Sequence, residues 1–344
     1  MRPAPTHSAA RRWRWLCITT PAVAMIMAMS ARAGGPSDDA DGPAEARPGR
    51  PPGAVGPSAQ PGPGTLAAAV ASTRALASAR VELTTTVEGP SGPVVLTHRA
   101  AFVDGGLRAS AESDMSQVAE ALGAVGQRLE GDWSQPARVV VEAGTVYSQL
   151  GPMAESLGRS PDEWTRAQLA DLVGSAAVAD NDALALALDP LGALDLLRRP
   201  VVEIGELPGG GTGRPEGGTG RPGGHRAVGG DGDEVRGVAT RHLRASLDLV
   251  GGAEGGPPDG SFEARLAAAG VDALPVDVWL DGDGVVRRMV VAIEAAGEMT
   301  TTFEVFDVGA VGEDDVAAPP PDDVLDASEL RVERHPGNGS GGGG

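Results

Sequence analysis

The sequence predicts an α+β fold built on a curved antiparallel sheet. Three observations carry this. Strand-like segments come first, helical ones follow and strands return, whereas a parallel nucleotide-binding sheet alternates the two. Many neighbouring strands are joined by turn-length connections. The stretch from Gly237 to Asp326 reads almost wholly as strands and hairpins and offers no convincing catalytic group.

Order is expected from Thr65, which is placed to cap a helix whose apolar face holds Leu66, Val70, Thr73 and Leu76. Arg80 to Glu88 alternates as a strand, with Val81, Leu83, Thr85 and Val87 on one side. Residues 89–93 then turn the chain. Val94–Val103 returns as a second strand and Arg108–Ser113 reads as a third. Met115–Leu129 carries a helical stripe of Val118, Leu122, Val125 and Leu129. Ala143-Gly144 between two strand-like runs is a two-residue hairpin signal. Ser160-Pro161-Asp162-Glu163 reads as a helix start, with proline at the first position and acids in the first turn. Asp182 to Leu197 reads as a helix with a leucine face of Leu184, Leu188, Leu191, Leu194 and Leu197, Pro190 included. Val201–Leu207 is a further strand.

Residues 208–233 repeat Gly-Gly-Thr-Gly-Arg-Pro at 210–215 and 217–222, and read as a flexible, expanded hairpin loop. On the strand that follows at 275–281, Val276, Val278 and Leu280 share one face. With the leucine face they form the candidate ligand-cavity wall. A cavity wall and a core wall use the same residues, so both readings stay open. Trp279 falls on the opposite side, covering the outer sheet face or sitting at a pocket mouth. Asp281-Gly282-Asp283-Gly284 reads as a tight hairpin turn. A calcium loop would need an oxygen ligand where Val285 stands and a glutamate where Ala292 stands.

The ends carry other signals. Residues 1–33 read as an export signal: Arg11, Arg12 and Arg14 precede a short apolar run, and Ala31-Arg32-Ala33 fits a cleavage site. The run is too short to span a bilayer. Residues 34–64, rich in Pro and Gly, read as a disordered tether, and 332–344 as a disordered tail. One domain is expected over 65–331.

Composition excludes several chemistries. The chain has 344 residues, no lysine, and a net charge of −19. Removing the signal's five arginines from 28 leaves 23 against 47 acids, a net −24. So acidic a surface repels phosphate backbones, and no nucleic-acid partner is expected. Without lysine there is no phosphate-loop lysine, Schiff base or Ser-Lys dyad. Cys17 lies in the signal, so the mature chain has neither a disulfide nor a thiolate nucleophile. His7, His98, His225, His242 and His335 show no zinc spacing. No catalytic residue, metal or cofactor is expected.

Several short motifs occur in one order: Asp189-Pro190-Leu191 within 184–197, Ile204-Gly205, Gly237–His242, the Val276–Arg288 hairpin, the Phe303–Gly309 strand and the Ala318-Pro319-Pro320 exit. This order resembles the LppX/LprG-type envelope lipoproteins of actinobacteria, related in fold to the LolA and LolB lipoprotein carriers. The resemblance covers about residues 65–331 and is strongest after Asp182. It implies a highly curved antiparallel β half-barrel with helices packed on its concave face around an apolar cavity. It also implies an exported, non-catalytic protein of the cell envelope or extracellular space that carries or retains an acylated lipid, a glycolipid or a lipoprotein. Peripheral membrane contact is compatible with this, and a monomer is expected. Two departures stand out: Gly34-Gly35 occupies the place of a lipidated cysteine, and aromatic residues are scarce. The alternative is an envelope scaffold or signalling-partner module of the same fold that binds no lipid.

Overall fold

The computed structural model describes residues 61–62, 64–89, 92–124, 132–151, 154, 158–172, 182–207, 234–249, 266, 270–293 and 299–327. The proposed export signal, nearly all of the tether, the 208–233 loop and the 332–344 tail lie outside the described residues.

Period-two alternation builds a single large sheet. Its strands are β1 (Ala79–Gly89), β2 (Gly92–Val103), β3 (Arg108–Asp114), β4 (Ala137–Glu142), β5 (Thr145–Gln149), β6 (Trp164–Gln168) and β7 (Val201–Glu206). After the small hairpin β8 (Glu234–Val235) and β9 (Val238–Ala239) come β10 (Arg241–Asp248), β11 (Ala273–Leu280), β12 (Val286–Ile293), β13 (Met299–Phe306) and β14 (Val324–Asp326). Twelve of them pair in the order β14-β6-β5-β4-β3-β2-β1-β13-β12-β11-β10-β7. The sheet is open and curved, as the sequence predicts. It is antiparallel except at one edge, where β14 pairs parallel with β6. The sequence reading did not anticipate that strand, because three residues after a proline run carry too little alternation to register.

Register keeps the apolar side chains together. Val81 and Leu83 of β1 face Val305 and Phe303 of β13, and Val276 and Val278 of β11 face Val291 and Met289 of β12. The β4–β5 turn has Ala143 at φ 49° and Gly144 at φ 78°. Two left-handed residues make the primed turn that matches strand twist, which is why glycine stands at the second position. At the β11–β12 turn, Asp281 Oδ1 accepts from the N–H groups of Asp283 (3.0 Å) and Val285 (2.9 Å). Its Oδ2 accepts from Arg287 Nε at 2.7 Å. The carboxylate thus closes the tight turn expected from the sequence.

Among the described residues helices are few: α1 (Gly64–Arg74), α2 (Ser116–Ala124), α3 (Leu169–Leu172) and α4 (Asp182–Leu188). Thr65 sits inside the first turn of α1, not at its cap, and its Oγ1 accepts from the Gly62 N–H at 3.0 Å. The continuation of α2 expected to Leu129 lies outside the described residues. Two sequence expectations are corrected. Ser160–Glu163 is a turn leading into β6, since proline fits a turn as well as a helix start and Trp164-Thr165 favours strand. The leucine helix is also broken: α4 stops at Leu188 and a 3-10 segment runs from Gly192 to Arg198. Pro190 has no N–H to give the Leu186 carbonyl, and its ring crowds that carbonyl.

α1, α3, α4 and the 3-10 segment pack on one apolar face of the sheet. α4 packs on β2, β3 and β4, the 3-10 segment touches α1, and α1 touches β12. Thr73 fastens α1 to the sheet. Its hydroxyl donates to the Ala69 carbonyl (2.7 Å) and accepts the Val286 N–H (2.9 Å) beside a register shift in the β11–β12 pairing. Removing it strands a buried donor. Thr73→Val is therefore expected to cost about 1–3 kcal/mol in urea unfolding; an unchanged midpoint would show that the bridge contributes nothing.

His98 of β2 is fully buried, with Nδ1 2.6 Å from Ser113 Oγ. Burial pushes its pKa from 6.5 down to about 4. The fold holds the ring neutral while the unfolded chain takes up a proton. Stability is therefore complete above about 6.5 and is lost as pH falls through about 4, by on the order of 3 kcal/mol. Replacing His98 with Leu should flatten the pH dependence of stability in that window; equal slopes in both proteins would contradict this.

Candidate functional site

The concave face is the candidate site. β1, β10 and β11 alternate, and one side of each, with Met299, Phe303 and Val305 of β13, contributes to a single apolar layer that extends from Val146 of β5 to Leu243 of β10. α1, α4 and the 3-10 segment close over it with Leu66, Val70, Leu186 and Leu194.

All eight candidate wall residues belong to this layer. Leu184, Leu191, Leu194 and Leu197 come from the cover, and Val276, Val278 and Leu280 from β11; these seven are buried. Leu188 is half-buried against the same layer. The structure brings cover and sheet residues together in one apolar layer, with Leu194 and Val278 fully buried at 0% exposure.

Arg74 ties the cover together. It ends α1, and its Nη1 and Nη2 donate to Asp189 at 3.3 and 3.1 Å. Nη2 also reaches Asp195 Oδ1 at 3.0 Å. Burial opposes the charge, but the two carboxylates win and hold its pKa above the ordinary value.

The convex face is charged. Alternation places acids and arginines at the outward positions, and ion pairs, register neighbours and ring contacts link them across eight adjacent strands. Arg138 of β4 binds Glu112 of β3 (3.0 Å), which faces Arg99 of β2. Arg99 binds Glu82 of β1 (2.9 Å). Arg236, from the β8–β9 turn, reaches Glu82 (2.9 Å) and Glu304 of β13 (2.6 Å) while lying 3.7 Å above the Phe306 ring. Glu304 also holds Arg288 of β12 at 2.6 Å. The Arg288 guanidinium lies 5.6 Å from the Trp279 ring of β11, which stacks on His242 of β10 at 4.1 Å. Trp279 therefore covers the outer face.

A groove of about 320 Å³ opens on this convex side, lined by Arg80, Arg99, Arg138, Val140, Trp164 and Asp315 among others. Sequence reasoning missed both the groove and the ladder. The alternation that revealed the inner face also fixed the outer positions, but pairing partners need the strand order. Among the described residues, no cluster of three His, Cys, Asp or Glu could hold a metal.

No protein-family model and no curated protein matches the chain. Solved structures similar to it include the Mycobacterium tuberculosis lipoprotein LppX, at 11% identity and a TM-score of 0.35 over 73% of this chain and 97% of that one. LprF from Mycobacterium bovis matches at 14% identity and a TM-score of 0.39 over 76% and 99% of the two chains. A putative outer membrane lipoprotein-sorting protein domain from Vibrio parahaemolyticus matches at 9% identity and a TM-score of 0.24 over 74% and 95%. Likeness at this level brings neither ligand nor partner to this chain.

The packing of the layer is directly measurable. Leu194→Ala is expected to destabilise the protein by about 2–5 kcal/mol, the cost of a cavity in a filled core. A loss of under about 1 kcal/mol would mean that Leu194 faces open space.

Proposed function

We propose that the protein is an exported, non-catalytic carrier that holds the acyl chain of a lipid, glycolipid or lipoprotein between its concave face and its helical cover. The observation supporting this is the apolar layer itself. It runs across nine strands, yet its described cover consists of short pieces, 11 residues in α1 and seven each in α4 and the 3-10 segment. A sixteen-carbon chain gains about 0.8 kcal/mol per buried methylene, on the order of 12 kcal/mol gross. Parting the walls replaces leucine–valine contacts by contacts with methylenes, an exchange of like for like.

Export follows from the basic and apolar segments of residues 1–33, with cleavage after Ala33. The mature chain then begins at Gly34, without a cysteine to lipidate, on a tether of residues 34–64. Among the described residues no helix is long and apolar enough to cross a membrane. The carrier works in the envelope or outside the cell, as a monomer touching membranes only peripherally.

A second reading has its own support. The filled layer and the convex groove suit an envelope scaffold or signalling-partner module of the same fold. Mass spectrometry of an organic-solvent extract of the purified mature protein separates the two, together with titration by a fluorescent fatty acid. Co-purified acylated lipid or saturable uptake is expected. Clean protein that takes up no probe would overturn the carrier and leave the scaffold.

A further inference from the structure

The helical cover comes in two halves seated on different strands. α4 packs on β2, β3 and β4, while α1 reaches β12. In the sheet, β1 and β13 run between those two footings. They present Leu83 and Phe303, and a buried pair of hydroxyls on Thr85 and Thr301 3.2 Å apart. Each half has its own hold on the sheet: α1 through Thr73 and the Val286 N–H, α4 through Leu184, Leu186 and Ala187 in the apolar layer. The halves meet where the 3-10 segment touches α1. Arg74 crosses that line from the last turn of α1 to Asp189 and Asp195.

We propose that Arg74, Asp189 and Asp195 form a latch on a seam above β1 and β13, and that an acyl chain enters and leaves through this seam when the latch opens. This rests on the carrier reading given above. Two properties suit the triad to the task. Paired, charge-assisted hydrogen bonds make a strong and directional closure. The side chains of Arg74, Asp189 and Asp195 are 28%, 25% and 20% exposed, so water and salt reach the contact and can compete for it. Breaking the triad removes the charged link between the two halves without touching the apolar footing of either.

The test is stopped-flow exchange of NBD-labelled palmitate with the purified mature protein. Arg74→Gln should take up and release the probe roughly tenfold faster than wild type, the rate equivalent of one charge-assisted hydrogen bond, with little change in Kd. Sodium chloride should speed exchange in wild type and leave the variant unaffected. If Arg74→Gln does not fold, Asp189→Asn combined with Asp195→Asn opens the same contact from the other side. Equal exchange rates in a wild type and variant that both bind would overturn the latch while sparing the carrier. A wild type that takes up no probe would overturn both.

Discussion

The whole architecture depends on burying one face of a twelve-stranded sheet. Along each main strand the side chains alternate, and the inward set is aliphatic almost throughout. Such a face cannot stand in water, and a flat sheet of this width would need a broad layer of helices to cover it. Little helix is available among the described residues. Among the described residues, short helical pieces, α1, α4 and the 3-10 segment, share the burial of this face. The break at Pro190 belongs to this solution, since it lets one leucine-rich segment bend from β2–β4 toward α1.

The outer face answers a different constraint. A chain with a net charge of −19 repels itself on compaction. The convex ladder interleaves arginines with the acids that alternation directs outward, so repulsion between neighbouring strands becomes attraction across them. The β8–β9 hairpin folds back to place Arg236 between Glu82 and Glu304. A pair at an exposed rim such as Arg99–Glu82 adds little alone; the linked arrangement fixes register more than it adds stability. The two faces therefore divide the work: one is predominantly apolar, the other carries the arginine–acid pairs and a groove.

Much of this was legible in the sequence where the signal is local. Val81, Leu83, Thr85 and the alternation of Val276, Val278 and Leu280 reveal strands because neighbours two apart share a face. Ala143-Gly144 reveals a hairpin because few residue pairs tolerate two left-handed conformations. Long-range facts were not legible. Arg74 meets Asp189 and Asp195 across 115 and 121 positions, and nothing in either segment points to the other. The Ser160 turn and the shortened α4 failed for a related reason: proline marks a boundary, but which element it bounds is decided by tertiary packing. Periodicity picked out eight residues that fall in the apolar layer, yet it does not distinguish a packed core from a wall that opens.

That distinction is the central claim, and hydrogen–deuterium exchange measures it most directly. Amide exchange would be followed across α1 and residues 184–198, with and without bound palmitate, and compared with that of β1 and β13. If an acyl chain lodges beneath the cover, those helical segments change protection on binding while the central strands remain protected. Palmitate that binds and leaves every cover amide unchanged would place the ligand elsewhere and contradict the account.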